Sequence, residues 1–322
     1  MAEIAVAIGS SHTPGLNHSA EHWLTRAEFD RKHIETQGLG DYEALAREKA
    51  AWIGPELTRE RIFERYDACT RALGTLAGTL AEAKADVVVI IGDDHREVFS
   101  AQHMPAFNIH WAEEIYCPPF ASRQPGMPAP DGPAPESGPH IYPGDTEFAE
   151  HLLHSVVQDG FDVSHSRTLR AAGLGHAFDF IVRRIMNEER IPLVPVLLNT
   201  YYAPNQPTAA RCYALGRAIR RAIDDWPSDK RVAIIGSGGL THHIIDEAMD
   251  KVILNGIHDR DVEALTSYPE QVYVDGTSEI KAWITLAGVM EEDDREMQLV
   301  DYQPFYRSPA GTGCANAFVY WR

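Results

Sequence analysis

Four short apolar runs, each followed by a glycine-rich or polar turn, constrain the fold of this chain more than any other feature. Continuous β-branched and aliphatic runs of this length are typical of strands that are covered on both faces. The predicted strands are Ile4–Ile8, Asp86–Ile91, Ile191–Leu198 and Arg231–Ile235. Apolar residues recur at helical spacing between them, over Glu60–Ala85, Ala177–Asn187 and Ala209–Asp225. The alternation predicts an α/β fold, with a central, mostly parallel or mixed sheet that is flanked by helices.

Two segments interrupt this alternation. Asn17–Glu60 is polar and helix-prone, and it predicts a helical insertion near the N-terminus. Pro118–Gly144 is so dense in proline and glycine that we expect no regular structure there. Such a segment is either a plain surface loop or a functional lid or oligomer arm. A chain of 322 residues can form one large domain or two modest ones, and we expect a single domain over residues 1–322 that carries both segments.

The net charge of the chain limits the kinds of molecule that we expect it to bind. The chain has 47 acidic and 29 basic residues, with a net charge of −18. Nucleic acids and anionic membrane surfaces attract clustered lysine and arginine, so we expect neither as a partner. The apolar first strand has no basic leader before it, and no apolar run is long enough to cross a bilayer. We therefore expect a cytoplasmic protein.

The strand ends supply the first candidates for chemistry, because ligands of open α/β sheets bind beyond the carboxyl ends of the strands. His12 follows the first strand in the sequence SSHTPG, and His95 follows the second in GDDH. Two such histidines can converge on one site and bind a metal, although each can also be part of an ordinary polar turn. Asp93 and Asp94 are candidates to orient the His95 imidazole.

The segment GSGGLTHHIIDE supplies a possible carboxylate ligand. Glu247 lies a little over one helical turn beyond His242 and His243. Together with two histidines it would complete a two-His-one-carboxylate set, which leaves positions open on Fe(II). The alternative is a solvated acid on a helix face, with His242 and His243 as ligands or as neighbours of the ligands. His176, in AAGLGHAFDF, could transfer protons near neutral pH or could make structural hydrogen bonds only.

Several other kinds of site are excluded by the sequence. The zinc motif HExxH, the phosphate-binding loop GxxxxGK[ST] and the nucleophile elbow GxSxG are all missing. The cysteines form no Cys-x-x-Cys pair, which argues against a disulfide framework or a cysteine zinc site. They are Cys69, Cys117, Cys212 and Cys314. The residues by themselves thus predict a mononuclear metal site and no more.

Five segments together resemble one family. They are SSHTPGL, the second strand with GDDH, GLGH, GSGGLTHHIIDE and YRSPAGTGCANAFVYW. These segments are similar to those of the class III (LigB-type) extradiol ring-cleavage dioxygenase superfamily, in its gallate, methylgallate and protocatechuate branch. The resemblance implies an Fe(II) enzyme that opens a catechol-type, lignin-derived aromatic with O₂, beside the diol. The expected substrate carries carboxyl or methoxy groups, and the expected assembly is a homodimer or a larger homo-oligomer.

The resemblance also implies roles for particular residues. Carried over one by one, His12, His95 and Glu247 bind Fe(II), and His176 acts as acid and base. Asp246 and His243 are the rivals for the third ligand. Thr13, His242 and His243 are candidates for substrate binding. Four arginines are candidates to bind a substrate carboxylate, and nothing in the sequence ranks Arg96, Arg167, Arg170 and Arg307.

Other functions stay open at this point. A metal-binding relative without oxygenase chemistry could act as a scaffold, and a zinc-dependent hydrolase could use the same sheet. The insertion could cover the site, in which case its aromatic side chains shape a pocket; alternatively they pack the insertion onto the core. These residues are Trp23, Phe29, Tyr42 and Trp52.

Overall fold

A computed structural model describes residues 1–118, 140–169, 173–187 and 189–322. Its strands are β1 (Glu3–Ser10), β2 (Val87–Asp93), β3 (Phe107–His110), β4 (Glu114–Cys117), β5 (His140–Pro143), β6 (Ser164–Ser166), β7 (Leu193–Leu198), β8 (Arg231–Ser237), β9 (His242–Ile244), β10 (Gln298–Tyr306) and β11 (Thr312–Trp321). Its α-helices are α1 (Ala20–Leu24), α2 (Ala27–Gln37), α3 (Tyr42–Ile53), α4 (Arg59–Ala83), α5 (Thr146–Gln158), α6 (His176–Arg184), α7 (Ala209–Asp225), α8 (Glu247–Asp259), α9 (Val262–Thr266) and α10 (Ile280–Val289). Short 3₁₀ segments cover Pro14–Asn17, Gly54–Leu57, Glu270–Val272 and Asp275–Glu279.

Nine strands of the described residues form one mixed sheet, in the order β10-β11-β1-β8-β2-β7-β3-β6, with β9 paired to β11. The four strands predicted from the sequence are its parallel centre, β1-β8-β2-β7. Strands β10 and β11 extend the sheet in antiparallel fashion on one side. The predicted fold class, a mostly parallel or mixed sheet flanked by helices, is therefore confirmed.

Alternate side chains of the central strands enter two separate layers of core. Val87, Val89 and Ile91 of β2 pack in the layer that contains α5, α7 and α10. Val88 and Ile90 pack in the opposite layer, which contains α4 and α6. Because both faces are covered, these strands read as continuous apolar runs rather than as alternating ones. The helices α4, α6 and α7 correspond to the three helices predicted from apolar spacing.

The insertion after β1 is helical, as expected, and contributes α1, α2 and α3. Trp23 is fully buried and stacks on Phe305, with ring centroids 3.8 Å apart. Tyr42 is also buried, whereas Phe29 and Trp52 are about half exposed. The aromatic residues of the insertion thus serve both purposes considered above, since some pack against the core and others face solvent or the cavity.

The proline- and glycine-rich segment Pro118–Gly144 lies largely outside the described residues, which omit 119–139. The end of the segment corrects the prediction that it has no regular structure. His140–Pro143 forms β5, which pairs antiparallel with β4, and Tyr142 is buried. The main-chain pairing of β5 with β4 and the burial of the Tyr142 ring stabilise this strand, despite the neighbouring prolines. Among the described residues, no helix combines the length and the apolarity that crossing a membrane requires.

Candidate metal centre and its cavity

The parallel register of the central strands determines where the candidate residues meet. Ser10 of β1 is aligned with Ser237 of β8, and Ile91 of β2 with Gly236. The turns that follow these three strands therefore lie at one edge of the sheet. A cavity of about 300 Å³ opens at that edge, and His12, His95 and His176 all line it. The sequence predicted that His12 and His95 converge, and the geometry brings them together with His176.

A buried carboxylate, Glu279, lies between the two strand-end histidines. One of its oxygens is 3.3 Å from His12 Nε2 and the other is 3.3 Å from His95 Nε2. Asp93, at the end of β2, lies 2.5 Å from His95 Nε2 and 3.9 Å from His12 Nε2. Both carboxylates are at least 97% buried. Two imidazoles and two carboxylates thus surround one point.

The protonation of His12 can be read from its hydrogen bonds. Its Nδ1 lies 3.0 Å from Ser237 Oγ, and that hydroxyl donates its own proton to the carbonyl of Ala177. The serine oxygen therefore accepts from His12, and Nδ1 carries the hydrogen. The lone pair of Nε2 then faces Glu279 and Asp93. Burial lowers the pKa of His12 to about 4, so the imidazole is neutral at physiological pH, as a metal ligand must be.

Several buried nitrogen and oxygen atoms of the centre could serve as ligands of a cation. His12 Nε2, His95 Nε2 and both oxygens of Asp93 are buried and form no well-aligned hydrogen bond with the described residues, so their close polar neighbours are one another and Glu279. Burial lowers the pKa of His95, but the charges of Asp93 and Glu279 outweigh it and raise the pKa well above the usual value. A proton on His95 thus partly balances the carboxylates, and a divalent cation would balance them better.

The local backbone explains how Glu279 reaches this point. It ends the 3₁₀ segment Asp275–Glu279 and directly precedes α10. Gly239, in the turn after β8, donates its backbone N–H to the Glu279 carboxylate over 2.6 Å. A Cβ atom at Gly238 would lie 2.6 Å from the Glu279 carbonyl oxygen, and one at Gly239 would lie 2.5 Å from the His242 ring. The glycines of GSGG are therefore needed for close packing around the centre.

Glu247, the third ligand predicted from the sequence, is not part of this cluster. It is the first residue of α8, is half-buried, and accepts a hydrogen bond of 2.7 Å from the Tyr306 hydroxyl. Its rival Asp246 caps the same helix, through the N–H groups of Ala248 and Met249. Strand β9 pairs with β11, and the chain then enters α8. Glu247 and Asp246 therefore do not reach the cavity, although they are close to His242 in the sequence. The glutamate that lies between His12 and His95 is Glu279, and not Glu247.

His176 begins α6 and stands edge-on to both metal-centre histidines. Its ring centroid is 5.0 Å from that of His12 and 4.7 Å from that of His95. Its Nδ1 and its backbone N–H both contact one Glu97 oxygen, at 2.9 and 3.0 Å. Burial lowers the pKa of His176, but Glu97 more than compensates and raises it. The arrangement gives a fixed imidazole that can carry a proton beside the centre.

The remaining predicted residues line the same cavity but have different partners. Thr13 donates to Asn316 over 2.6 Å and lies 3.0 Å from Cys314 Sγ. His242 Nδ1 donates to the Leu240 carbonyl, and its Nε2 lies 3.2 Å from Glu279. Burial lowers the pKa of His242, but the neighbouring Cys314 and Glu279 raise it well above the usual value.

His243 belongs to a second cluster at the wall of the cavity. Its Nδ1 lies 2.6 Å from Asp275 Oδ2, and His33 Nε2, from α2, lies 2.8 Å from the same oxygen. Burial raises the pKa of Asp275, but the two imidazoles outweigh it and hold the pKa far below the usual range. This carboxylate oxygen is already saturated by two donors, which distinguishes it from the unpartnered atoms of the first cluster.

The family described as the catalytic LigB subunit of aromatic ring-opening dioxygenase matches residues 65–319, well over half of the chain. This protein belongs to the LigB family. The resemblance to class III extradiol dioxygenases is thus confirmed. His95, His176 and Glu279 lie inside the matched range of this LigB-family chain, whereas His12 and the whole insertion precede it.

Curated relatives of the LigB-family chain match it in part. It is 34% identical over 107 residues to a gallate dioxygenase of Pseudomonas putida, covering 32% of this chain and 30% of the relative. It is 28% identical over 177 residues to a 2,3-dihydroxyphenylpropionate/2,3-dihydroxicinnamic acid 1,2-dioxygenase of Klebsiella pneumoniae, covering 55% of this chain and 49% of the relative. The chain therefore spans about half, or less, of the length of these relatives.

A solved structure also resembles the LigB-family chain. The crystal structure of an uncharacterized protein from Escherichia coli K12 superposes with a TM-score of 0.51 and 12% identity. The match covers 78% of this chain and 91% of that one. At this identity the likeness concerns the fold alone.

Proposed function

We propose that this chain is a non-haem Fe(II) extradiol dioxygenase, which opens the ring of a catechol-type aromatic with O₂ beside the diol. The observation that carries the proposal is the cluster of buried, unpartnered donor atoms around one point of a ring-sized cavity. Membership in the LigB family and the dioxygenase names of the partial relatives support it.

The proposed ligands are His12, His95 and Glu279, with Glu279 in place of Glu247. Two imidazoles and one carboxylate form the donor set that is characteristic of oxygen-activating Fe(II), and this set leaves positions free for guests. Asp93 lies 2.5 Å from His95 Nε2 and is proposed to orient that ring. Bound Fe(II) would supply a common centre for the substrate oxygens and O₂, through which electron density passes between them.

The side chains around the centre have proposed roles in handling protons and in positioning. His176 is fixed by Glu97, and it would accept a proton from a substrate hydroxyl and return it later. Burial raises the pKa of the Tyr201 hydroxyl far above its usual value, so this cavity residue stays protonated and can donate a hydrogen bond. His242 and Thr13 also line the cavity, within reach of a bound ring.

We propose further that residues 1–322 act as one catalytic domain. The three proposed ligands follow β1, follow β2 and precede α10, so any piece of the chain that contains the complete centre must span residues 12–279. His33 and Phe29 of the insertion line the same cavity, which supports a role for the insertion as part of its wall.

Oxygen uptake tests the proposed reaction. Protein loaded anaerobically with Fe(II) and supplied with 3,4-dihydroxybenzoate is expected to consume one O₂ per ring opened and to give a yellow ring-fission product. Zinc-loaded protein is the matched control and should consume none. Activity with zinc that is indifferent to O₂ would favour a hydrolase, and iron binding without any O₂ uptake across a panel of catechols would favour a scaffold.

A further inference from the structure

Asp275 is a carboxylate of the cavity wall that lies outside the metal centre and accepts hydrogen bonds from several directions. Its Oδ2 is 2.8 Å from His33 Nε2 and 2.6 Å from His243 Nδ1. The Tyr201 hydroxyl also hydrogen-bonds to this carboxylate. The three partners come from helix α2 of the insertion, from strand β9 and from the turn after β7. All four residues line the cavity, so Asp275 is the common acceptor of one part of its wall.

The backbone of Asp275 has an uncommon conformation that its surroundings hold in place. Its φ is 51°, in the left-handed region that few residues other than glycine, asparagine and aspartate adopt. The next residue, Gly276, has no room for a side chain, because a Cβ atom there would lie 2.0 Å from the His242 ring. Such conformations persist where the fold determines them, and they are frequent at functional sites.

The charge of Asp275 determines the direction of its hydrogen bonds. Burial raises the pKa of this carboxyl, but the hydrogen bonds from His243 and His33 outweigh burial and hold the pKa far below its usual range. An ionised carboxylate has no proton and can only accept. The proton in each contact therefore belongs to the partner, which is His33 Nε2, His243 Nδ1 or the Tyr201 hydroxyl.

The two partners from the core of the chain consequently have only lone pairs left for a guest. Burial and the charges of Glu279 and Asp275 raise the pKa of Tyr201 far above its usual value, so it remains a phenol with one proton, which it donates to Asp275. Burial lowers the pKa of His243 to about 4, so this ring is neutral, with its proton on Nδ1 and a lone pair on Nε2. Toward a molecule in the cavity, both side chains can act only as acceptors.

Tyr201 lies beside the metal centre, where a bound ring would meet it. Its ring centroid is 4.3 Å from that of His95, a proposed ligand, and the Glu279 charge acts on its hydroxyl. A ring hydroxyl at this place can donate to the Tyr201 oxygen. An ether oxygen cannot donate, so its lone pairs would face those of Tyr201 and both groups would be left without a partner.

We propose that Asp275 is a positioning residue, which turns the Tyr201 hydroxyl into an acceptor and so selects ring substituents that donate a hydrogen bond over those that only accept one. The inference rests on the proposed function and narrows its substrate to aromatic diols with a further hydroxyl beside Tyr201. It disfavours a methoxy group at that position, which the sequence left open. The insertion takes part through His33, which helps to hold Asp275 in its ionised form.

Binding of paired compounds tests the selection without turnover. We would measure dissociation constants by anaerobic calorimetry on the Fe(II)-loaded full chain, for pyrogallol against 3-methoxycatechol and for 1,2,4-benzenetriol against 4-methoxycatechol. In at least one pair, the hydroxyl compound should bind roughly three- to tenfold more tightly than the methyl ether. Tyr201→Phe removes the acceptor and should bring the ratio in that pair close to one, by weakening the hydroxyl compound.

Asp275→Asn gives a result that general damage to the site would not produce. Asparagine also adopts the left-handed conformation, and its amide oxygen can still accept from the imidazoles while its NH₂ group donates to the Tyr201 oxygen. The Tyr201 proton is then available to the ligand. The methyl ether of the discriminating pair should therefore bind roughly threefold more tightly than to wild type, whereas the hydroxyl compound should keep its affinity.

Asp259→Asn is the matched control, because Asp259 accepts from His258 Nδ1 over 2.6 Å outside the cavity. This variant should bind all four compounds as wild type does. Equal binding within both pairs by wild type, or binding of none of the compounds, would overturn the proposal. So would a wild-type ratio in Tyr201→Phe, a folded Asp275→Asn without any gain for the methyl ether, or the same gain in Asp259→Asn.

The same compounds distinguish a failure of the selection from a failure of the proposed function. If the protein prefers the hydroxyl compounds but consumes no O₂ with any of them, the dioxygenase proposal fails and the role of Asp275 stands. If it opens the rings of both members of each pair and binds them equally, the role of Asp275 fails and the dioxygenase proposal stands.

Discussion

Replacing Glu279 by glutamine should remove most of the metal affinity of the centre. The carboxylate is 97% buried, and its oxygens lie 3.3 Å from His12 Nε2 and from His95 Nε2. Removing one charged partner from a buried ionic cluster costs about 3–5 kcal/mol. Because about 1.4 kcal/mol corresponds to a factor of ten, the affinity for Fe(II) should fall by roughly two to three and a half orders of magnitude.

Glu247→Gln is the matched control, since it makes the same chemical change at the carboxylate predicted from sequence alone. Its carboxylate is half-buried and accepts from Tyr306, so the variant should lose about 1 kcal/mol of stability, or less, and keep the affinity for iron. The assay is an anaerobic Fe(II) titration against a competing chelator, with circular dichroism to verify folding. Wild-type iron affinity in folded Glu279→Gln, together with its loss in Glu247→Gln, would refute the reasoning.

Four further substitutions probe other parts of the account. His12→Ala should fold but fail to retain iron, as metal analysis after gel filtration would show. His176→Ala should retain iron while its kcat falls by roughly 10²- to 10⁴-fold; full activity would disprove its acid–base role. Gly276→Ala would place a Cβ 2.0 Å from the His242 ring, so activity should fall in a protein that still melts cooperatively. Burial raises the pKa of Asp250 from 3.8 to about 6, so the buried carboxyl favours folding below pH 3.8 and loses that contribution as pH rises through about 6. The free energy of unfolding of Asp250→Asn, measured by urea denaturation, should therefore rise by about 3 kcal/mol relative to that of wild type as pH rises through this window. A difference between the two proteins that does not change with pH would contradict the prediction.

The parallel centre of the fold was predictable because its signals are local. Strands buried on both faces read as continuous apolar runs, and the strands β1, β2, β7 and β8 all do so. The antiparallel strands β10 and β11 were not predicted, because polar residues interrupt them and β11 joins the sheet by pairing with β1 at the other end of the chain.

Half of the candidate metal centre was predictable for a related reason. The carboxyl ends of parallel strands share one edge, so His12 and His95 were expected to meet before their distance was known. Asp93 was correctly expected beside His95, whereas Asp94 instead accepts from the N–H groups of Val98 and Phe99.

The spacing of residues in the sequence could not identify the carboxylate that we propose as the third ligand. Glu279 comes from a 3₁₀ segment 40 positions after Gly239, and it is located by a contact between the two. Nothing local distinguishes it from other glutamates except its position at the start of the apolar helix α10. Glu247 was favoured because it is near His242 along the chain, and nearness along the chain did not translate into nearness in space.

The most direct test of the central claim is the position of a bound metal. Crystals of the full chain, soaked anaerobically with Fe(II), would be measured at the iron absorption edge. The account predicts one anomalous peak within about 2 Å of His12 Nε2, His95 Nε2 and a Glu279 oxygen. A peak beside Glu247 or at the His33–Asp275–His243 cluster, with none between His12 and His95, would contradict it.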